Sequence, residues 1–315
     1  MPSKKIKVVF MGTPHFALPS LQSLISDPDF NLQTVITQED KKVGRKQLLT
    51  PPPVKLMAVH NSIPVLQPPT LRNNAEITGL IKGLKPDFIV VVAYGQILPP
   101  EILAIPRYGC INLHGSLLPK YRGASPVEES LLHGDSETGI TFIQMDSKLD
   151  SGDILLVRRV PIKPEDNAII LREKLCLVGG QLLPFLLRDI IDGIIVPIPQ
   201  NHSKATFCRK IRKENGLLKL DELTAVDIVN RIRAYTPWPN CFLIHKGKRL
   251  KILEAAADEN SASVKAKPGE AVFTGNNQIA LVTKKGLLIP KTVQLEGKKA
   301  LPVQDFLRGN PGFFE

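Results

Sequence analysis

Asn112 and His114 stand two residues apart in the run Gly109-Cys-Ile-Asn-Leu-His-Gly-Ser116. In an extended strand that spacing turns both side chains to one face, and the glycine that follows lets a ligand or backbone come close. A second run, Gln144-Met-Asp-Ser-Lys-Leu-Asp-Ser-Gly-Asp153, puts Asp150 just ahead of another glycine turn. An amide, an imidazole and a carboxylate that converge can assist attack on a carbonyl carbon. The amide donates to the developing oxyanion, the imidazole exchanges protons, and the carboxylate orients the imidazole. The same residue types also stabilise turns or sit satisfied in a core, and spacing alone leaves both readings open. Other chemistries lack their residues. No serine or cysteine sits in a nucleophile elbow, and no P-loop or Gly-x-Gly-x-x-Gly follows the first strand. The six histidines show no ligand spacing, so no metal is expected.

Residues placed like this need strands that end beside them. The apolar run Ile6–Met11 precedes Gly12-Thr-Pro14 and a helical pattern through Phe16, Leu18, Leu21, Leu24 and Ile25. Leu32–Thr37 and Ile63–Leu66 read as further strands, and Asp87–Ala93 carries a continuous β-branched run that suits a central strand covered on both faces. Gly109–His114 and Thr141–Met145 follow, with helical patterns near 126–133 and 167–191. Strands alternating with helices predict an α/β domain with a mainly parallel sheet. Ligands of such sheets sit beyond the carboxyl ends of the strands.

The chain has 315 residues, 43% hydrophobic and 23% charged, which suits a folded soluble protein and excludes a disordered or collagen-like one. That length fits one large or two ordinary domains. No apolar stretch nears the roughly 20 residues that cross a bilayer. Met1–Phe10 runs straight into a strand pattern without a signal-peptide cleavage region, so a cytoplasmic protein with no membrane partner is expected. Cys110, Cys176, Cys208 and Cys241 are widely spaced and indicate neither a zinc site nor a disulfide framework.

Lys and Arg outnumber Asp and Glu by 41 to 30, and the excess is uneven. Residues 1–202 hold 21 basic and 19 acidic residues, whereas residues 203–315 hold 20 and 11. Such asymmetry points to a polyanionic partner, most simply nucleic acid, or to surface charge that merely keeps the protein soluble. Charge alone leaves the two level. After Pro197–Ser203 the pattern changes too. A helical segment at 224–234 is followed by short strands at 242–245, 250–253, 271–273, 278–283 and 287–289, separated by glycine turns. This predicts a small β-barrel and a division into domains at 1–202 and 203–315. Within the first part, Asp40–Pro53 has no useful periodicity, and Lys41, Lys42, Arg45 and Lys46 flank a glycine in what reads as a structureless, mobile basic loop.

Asn112-Leu-His-Gly-Ser-Leu-Leu-Pro119 followed by Tyr121-Arg-Gly-Ala-Ser-Pro126 resembles the signature of folate-dependent formyltransferases, as does Gly139–Ile154 with its Asp150. Members of that superfamily share a Rossmann-like catalytic domain and act on glycinamide ribonucleotide, amino sugars or aminoacyl-tRNA. Phe10–Pro14, Thr37–Asp40 with the basic loop, Pro53-Val-Lys55, Tyr235–Pro239 and Val303–Leu307 resemble the branch that formylates methionyl-tRNA, so the similarity spans essentially the whole chain. The resemblance implies a Rossmann-like domain, then a basic OB-like barrel that binds tRNA. It implies 10-formyltetrahydrofolate as donor, initiator methionyl-tRNA as acceptor, and a monomer. Asn112, His114 and Asp150 match the catalytic set, and Ser116, Leu117, Leu118 and Pro119 the motif assigned to the folate. Lys41, Lys42, Arg45 and Lys46 lie in the family's insertion that meets the tRNA acceptor end, with Arg45 carrying the most weight. Two positions depart from the pattern. Lys41-Lys42-Val43 replaces the usual Arg-Pro-Ala, keeping positive charge but losing a rigid proline, and Gly115 stands where alanine is common. A relative acting on a small amine or an amino sugar is the alternative; it would share the catalytic blocks without needing the basic barrel or loop.

Overall fold

The computed structural model describes residues 5–44, 46–259, 265–274 and 278–314. The chain divides into two compact units. The first takes residues up to Pro126, Glu137–Pro161 and Arg172–Cys208; the second takes Val127–Ser136, Ile162–Leu171 and the residues from Arg209 on.

The first unit is organised by a seven-stranded sheet. Its elements begin with β1 (Ile6–Gly12), α1 (Leu18–Ser26), β2 (Phe30–Ile36), β3 (Lys41–Val43), β4 (Leu48–Thr50), α2 (Pro53–His60), β5 (Val65–Leu66) and α3 (Ala75–Leu84). They continue with β6 (Phe88–Val92), α4 (Pro100–Leu103), β7 (Cys110–His114), β8 (Arg122–Gly123), β9 (Glu137–Gln144), β10 (Ile154–Pro161), α6 (Ala168–Ile191, of this unit from Arg172 on) and β11 (Phe207–Cys208), while α5 (Pro126–Leu132) falls in the second unit from Val127 on. The sheet order is β10-β9-β7-β6-β1-β2-β5. β5, β2, β1, β6 and β7 run parallel to their neighbours, and β9 and β10 turn antiparallel at the edge. This is the expected α/β, Rossmann-like, mainly parallel architecture.

Every residue of β6 is buried, as its unbroken apolar run requires of a strand with helices on both faces. Val9, Met11, Ile36, Ile81 and Ile102 pack with its Ile89 and Val91 into one core. Helix α6 approaches unusually closely: a Cβ on Gly180 would lie 2.7 Å from the Pro19 carbonyl carbon, and one on Gly179 2.5 Å from a methyl of Leu113. The edge strand β10 is an addition to the strands read from the sequence. Arg158 and Arg159 interrupt its apolar pattern, and both are exposed on the free edge, where charge discourages pairing with another chain.

In the second unit, α7 (Ala225–Ala234) precedes β12 (Cys241–His245), β13 (Lys248–Asp258), β14 (Ala271–Thr274), β15 (Gln278–Val282), β16 (Leu287–Leu295), β17 (Leu301–Pro302) and α8 (Val303–Gly309). The strands form one antiparallel half-barrel sheet in the order β12-β13-β16-β15-β14, with β17 beside β16. Leu250, Ile279, Val293, Val303 and Phe306 fill its core, and the form is that of the expected OB-like domain. Helix α7 starts where the Thr224 hydroxyl accepts from the Asp227 amide and the Asp227 carboxylate accepts from the Thr224 amide, each at 3.1 Å, a reciprocal cap of about 1 kcal/mol. Among the described residues no helix is long and apolar enough to cross a membrane.

Candidate active site

Strand β7 carries Asn112 and His114 on one face, as their spacing requires. Asn112 lies between Val91 of β6 and Ile143 of β9, and His114 stands opposite Thr141. Both are buried, at 8% and 6% exposure. The His114 ring is committed at Nε2, which lies 2.9 Å from the Tyr121 carbonyl oxygen, while Nδ1 faces Asp150 Oδ2 at 3.7 Å, beyond direct hydrogen-bond distance. A carbonyl oxygen only accepts, so Nε2 carries the hydrogen. In the neutral ring Nδ1 then turns a lone pair toward the carboxylate, leaving a place for one proton between them. Asn112, by contrast, makes no side-chain hydrogen bond to any described residue, so its amide is available to a ligand.

Asp150 sits in the turn between β9 and β10 at φ +48, a left-handed conformation that costs a non-glycine residue about 1–3 kcal/mol and persists only where its surroundings impose it. Three contacts do so. The Gly123 amide donates to Asp150 Oδ2 at 2.8 Å, and Gln200 Nε2 donates to the carbonyls of Asp150 at 2.9 Å and Gly152 at 2.7 Å. Gly152 admits no side chain, because a Cβ there would fall 1.8 Å from the Gln144 carbonyl oxygen. Gln200 Oε1 in turn accepts from Arg122 Nε at 3.2 Å and Nη2 at 2.7 Å. Arg122 and Gln200 are each 5% exposed. Motif spacing did not single out Gln200: its partners lie 48, 50 and 78 residues away, and only the Pro-rich run around it marks the place.

Ser116, Leu117, Leu118 and Pro119 follow β7 directly. The Ser116 hydroxyl donates to the Lys120 carbonyl at 2.6 Å. The Thr141 hydroxyl donates to the Ser116 carbonyl at 2.7 Å and accepts from the Leu118 amide at 3.1 Å, while Leu117 packs against Gly139 of β9. The segment is thereby fixed to the strand beside it. At the carboxyl ends of β2 and β6, where open parallel sheets hold ligands, Thr37 Oγ1, Gln38 Nε2 and Tyr94 Oη are buried with no partner among the described residues. Burial pushes the Tyr94 phenol up to about 12, so it stays neutral and can donate. Unsatisfied buried polar atoms cost about 1–3 kcal/mol each, and a flat heteroaromatic ligand with ring nitrogens and an amide would answer them.

Lys41, Lys42 and Lys46 are exposed; Arg45 lies outside the described residues. The stretch is not structureless: Lys41–Val43 and Leu48–Thr50 pair as a two-stranded hairpin. All six paired residues are exposed, so neither face is buried and no period-two pattern reveals the strands. At the hairpin's base Lys55 Nζ donates to both Asp40 oxygens at 2.8 Å, and Gln67 Nε2 donates to Asp40 Oδ1 at 2.8 Å. The Gln67 amide and the Lys55 ammonium hold the Asp40 carboxyl below its ordinary range. Among the described residues no three His, Cys, Asp or Glu side chains gather as a metal site would need.

The chain matches the Formyl transferase model over residues 4–187 and the Formyl transferase, C-terminal domain model over residues 210–311. It is 46% identical to the methionyl-tRNA formyltransferase of Caldicellulosiruptor saccharolyticus over 96% of each chain. To that of Pelotomaculum thermopropionicum it is 43% identical, covering 97% of this chain and 96% of the relative. Among solved structures, an N-formyltransferase from Helicobacter canadensis in complex with folinic acid and dTDP-3-aminofucose superposes with a TM-score of 0.65 at 21% identity, over 90% of this chain and 98% of that one. HypX from Aquifex aeolicus in complex with tetrahydrofolic acid gives 0.60 at 15% identity, over 99% of this chain and 48% of that one. At these identities the structural likeness speaks for the fold.

Proposed function

The chain belongs to the methionyl-tRNA formyltransferase family, and from that premise we propose that it transfers the formyl group of 10-formyltetrahydrofolate to the α-amino group of initiator methionyl-tRNA, giving N-formylmethionyl-tRNA. The observation that carries this reading is similarity along both units, at 40–46% identity, to enzymes of that name. The N-formyltransferase from Helicobacter canadensis in complex with dTDP-3-aminofucose stands at 21%.

In the reaction the free amine attacks the formyl carbon, a carbon–nitrogen bond forms, and the carbonyl oxygen becomes an oxyanion. The bond from that carbon to N10 of the folate then breaks, N10 takes up a proton and the new amide gives one up. Asn112 donates to the oxyanion; its unengaged amide supports the role, and losing one such donor costs about 3–4 kcal/mol. His114 and Asp150 hold and move the proton. The Nε2 bond to Tyr121 and the approach of Nδ1 to Asp150 favour this over direct donation by His114 to the oxyanion. Ser116, Leu117, Leu118 and Pro119 flank the folate, and the unpaired polar atoms of Thr37, Gln38 and Tyr94 receive its ring.

Residues 1–202 act as the catalytic domain, with Lys41, Lys42 and Lys46 of the hairpin, and Arg45 next to Lys46 in sequence, meeting the acceptor end. Residues 203–315, with 20 basic against 11 acidic residues, hold the tRNA through phosphate contacts. The protein works as a monomer in the cytoplasm. The test is a formylation assay with initiator and elongator methionyl-tRNA beside small amines and amino sugars. Formylation of the initiator species in preference to the others is expected. Activity on free amines with none on charged tRNA would overturn the assignment.

A further inference from the structure

We propose that Gln200 is a positioning residue for this reaction: its carboxamide holds the Asp150 turn in place beside His114, and Arg122 locks the carboxamide from the opposite side. The inference rests on the reading of Asn112, His114 and Asp150 as the catalytic set. Both hydrogens of the Gln200 amide are used on that turn, one on the Asp150 carbonyl and one on the Gly152 carbonyl. Its oxygen takes both donations from Arg122. Carbonyls only accept and a guanidinium only donates, so the amide has one possible orientation here. No other side chain of similar size supplies two donors on one side and an acceptor on the other: glutamate keeps the Arg122 pairing but turns lone pairs on the carbonyls, and methionine loses both.

The chain around Gln200 is itself fixed at two points. Ile198 exchanges backbone hydrogen bonds with Ile154 at the start of β10, at 2.8 and 2.9 Å, two residues before Gln200. Further on, Phe207 and Cys208 of β11 pair with Arg122 and Gly123 of β8. Arg122 Nη2 also donates to His202 Nδ1 at 2.9 Å, so the guanidinium that orients Gln200 is tied to the same returning segment. The carbonyls that Gln200 grips are that of Asp150 itself and that of Gly152 two residues on, and the Asp150 carboxylate receives the Gly123 amide and faces His114. Releasing them frees the left-handed turn at Asp150 and moves the carboxylate, and a displacement near 1 Å in a reacting constellation costs on the order of 10²-fold in rate.

The experiment compares Gln200→Glu, Gln200→Met, Asp150→Asn and the Gln200→Glu/Asp150→Asn double variant in the full-length protein. Formylation of methionyl-tRNA gives kcat and KM, and amide hydrogen exchange reads the Gly123 N–H and the amides of Ile89–Val91. Gln200→Glu is expected to lower kcat about 10²-fold while leaving KM for both substrates near the wild-type values. The double variant should be no slower than Asp150→Asn alone. Gly123 should exchange faster in Gln200→Glu and Asp150→Asn alike, with β6 protected as in wild type. Wild-type exchange at Gly123 in Gln200→Glu, or a double variant whose loss is the product of the two single losses, would overturn the proposal. Loss of protection throughout β6 in both Gln200→Glu and Gln200→Met would also overturn it, assigning Gln200 to the fold as a whole. A wild-type protein that formylates no methionyl-tRNA would defeat the functional reading, and Gly123 exchange would still decide the role of Gln200.

Discussion

At the carboxyl end of β7, His114, Arg122 and Gln200 are buried, and each is held by named hydrogen bonds, whereas hairpin β3–β4 leaves all six of its paired residues exposed. The first region is determined by geometry. Removing one partner there leaves a buried polar group unanswered, and atoms a few tenths of an ångström out of place matter. The second is set by charge and by its anchor: Lys55 and Gln67 clamp Asp40 at the hairpin's base, and the proposed tRNA contacts of its solvated lysines would rest on their number. Substitutions in the first region should therefore register in the rate of transfer, and those in the second in the proposed grip on tRNA.

The largest expected effect falls in the buried region. His114→Ala should lower kcat for formylation by roughly 10²–10⁴-fold, with KM for methionyl-tRNA little changed; rapid-quench formylation at saturating tRNA reads it. An effect mainly on KM would erase the contrast. Next comes the hairpin. Replacing Lys41, Lys42 and Lys46 together by alanine should leave the transfer rate at saturating tRNA near wild type. It should also flatten the log–log salt dependence of tRNA binding by roughly 2–3, about 0.7–0.9 for each phosphate that a lysine neutralises. Binding measured from low to physiological salt checks this, and an unchanged slope would deny the hairpin its role at the phosphates.

The smallest effect belongs to the anchor. Asp40 has a folded-state affinity for protons below its ordinary value of 3.8, because Gln67 and Lys55 favour the carboxylate. Its contribution to stability is therefore complete above that ordinary value and is lost as pH falls through the lowered folded-state value. Asp40→Asn should destabilise the protein slightly at neutral pH, and the gap from wild type should close as urea unfolding is repeated toward pH 3.8 and below. A gap that stays constant with pH would show that the ion pair at the hairpin's base is not what Asp40 contributes.

How much of this could be read from residues alone follows from the same contrast. The apolar run of β6 and the Asn-x-His spacing on β7 were legible because burial imposes a period that the sequence must obey. The hairpin escaped notice because no face of it is buried, and β10 because Arg158 and Arg159 break its apolar run on an exposed edge. Gln200 was invisible for another reason: its function depends on the carbonyls of Asp150 and Gly152 and on the Arg122 guanidinium. A backbone carbonyl offers no residue type to recognise. The commitment of His114 Nε2 to the Tyr121 carbonyl was hidden in the same way, and it is what separates proton holding from direct oxyanion donation.

The central claim is that the buried region sets the rate of formyl transfer through the unengaged amide of Asn112. It is tested most directly by single-turnover formylation of initiator methionyl-tRNA by Asn112→Asp at saturating tRNA and folate donor. The substitution nearly preserves shape and replaces a donor aimed at the developing oxyanion with an anion. A fall of about 10²–10³-fold in the transfer rate, with tRNA affinity intact, is predicted. A transfer rate close to wild type would contradict the account.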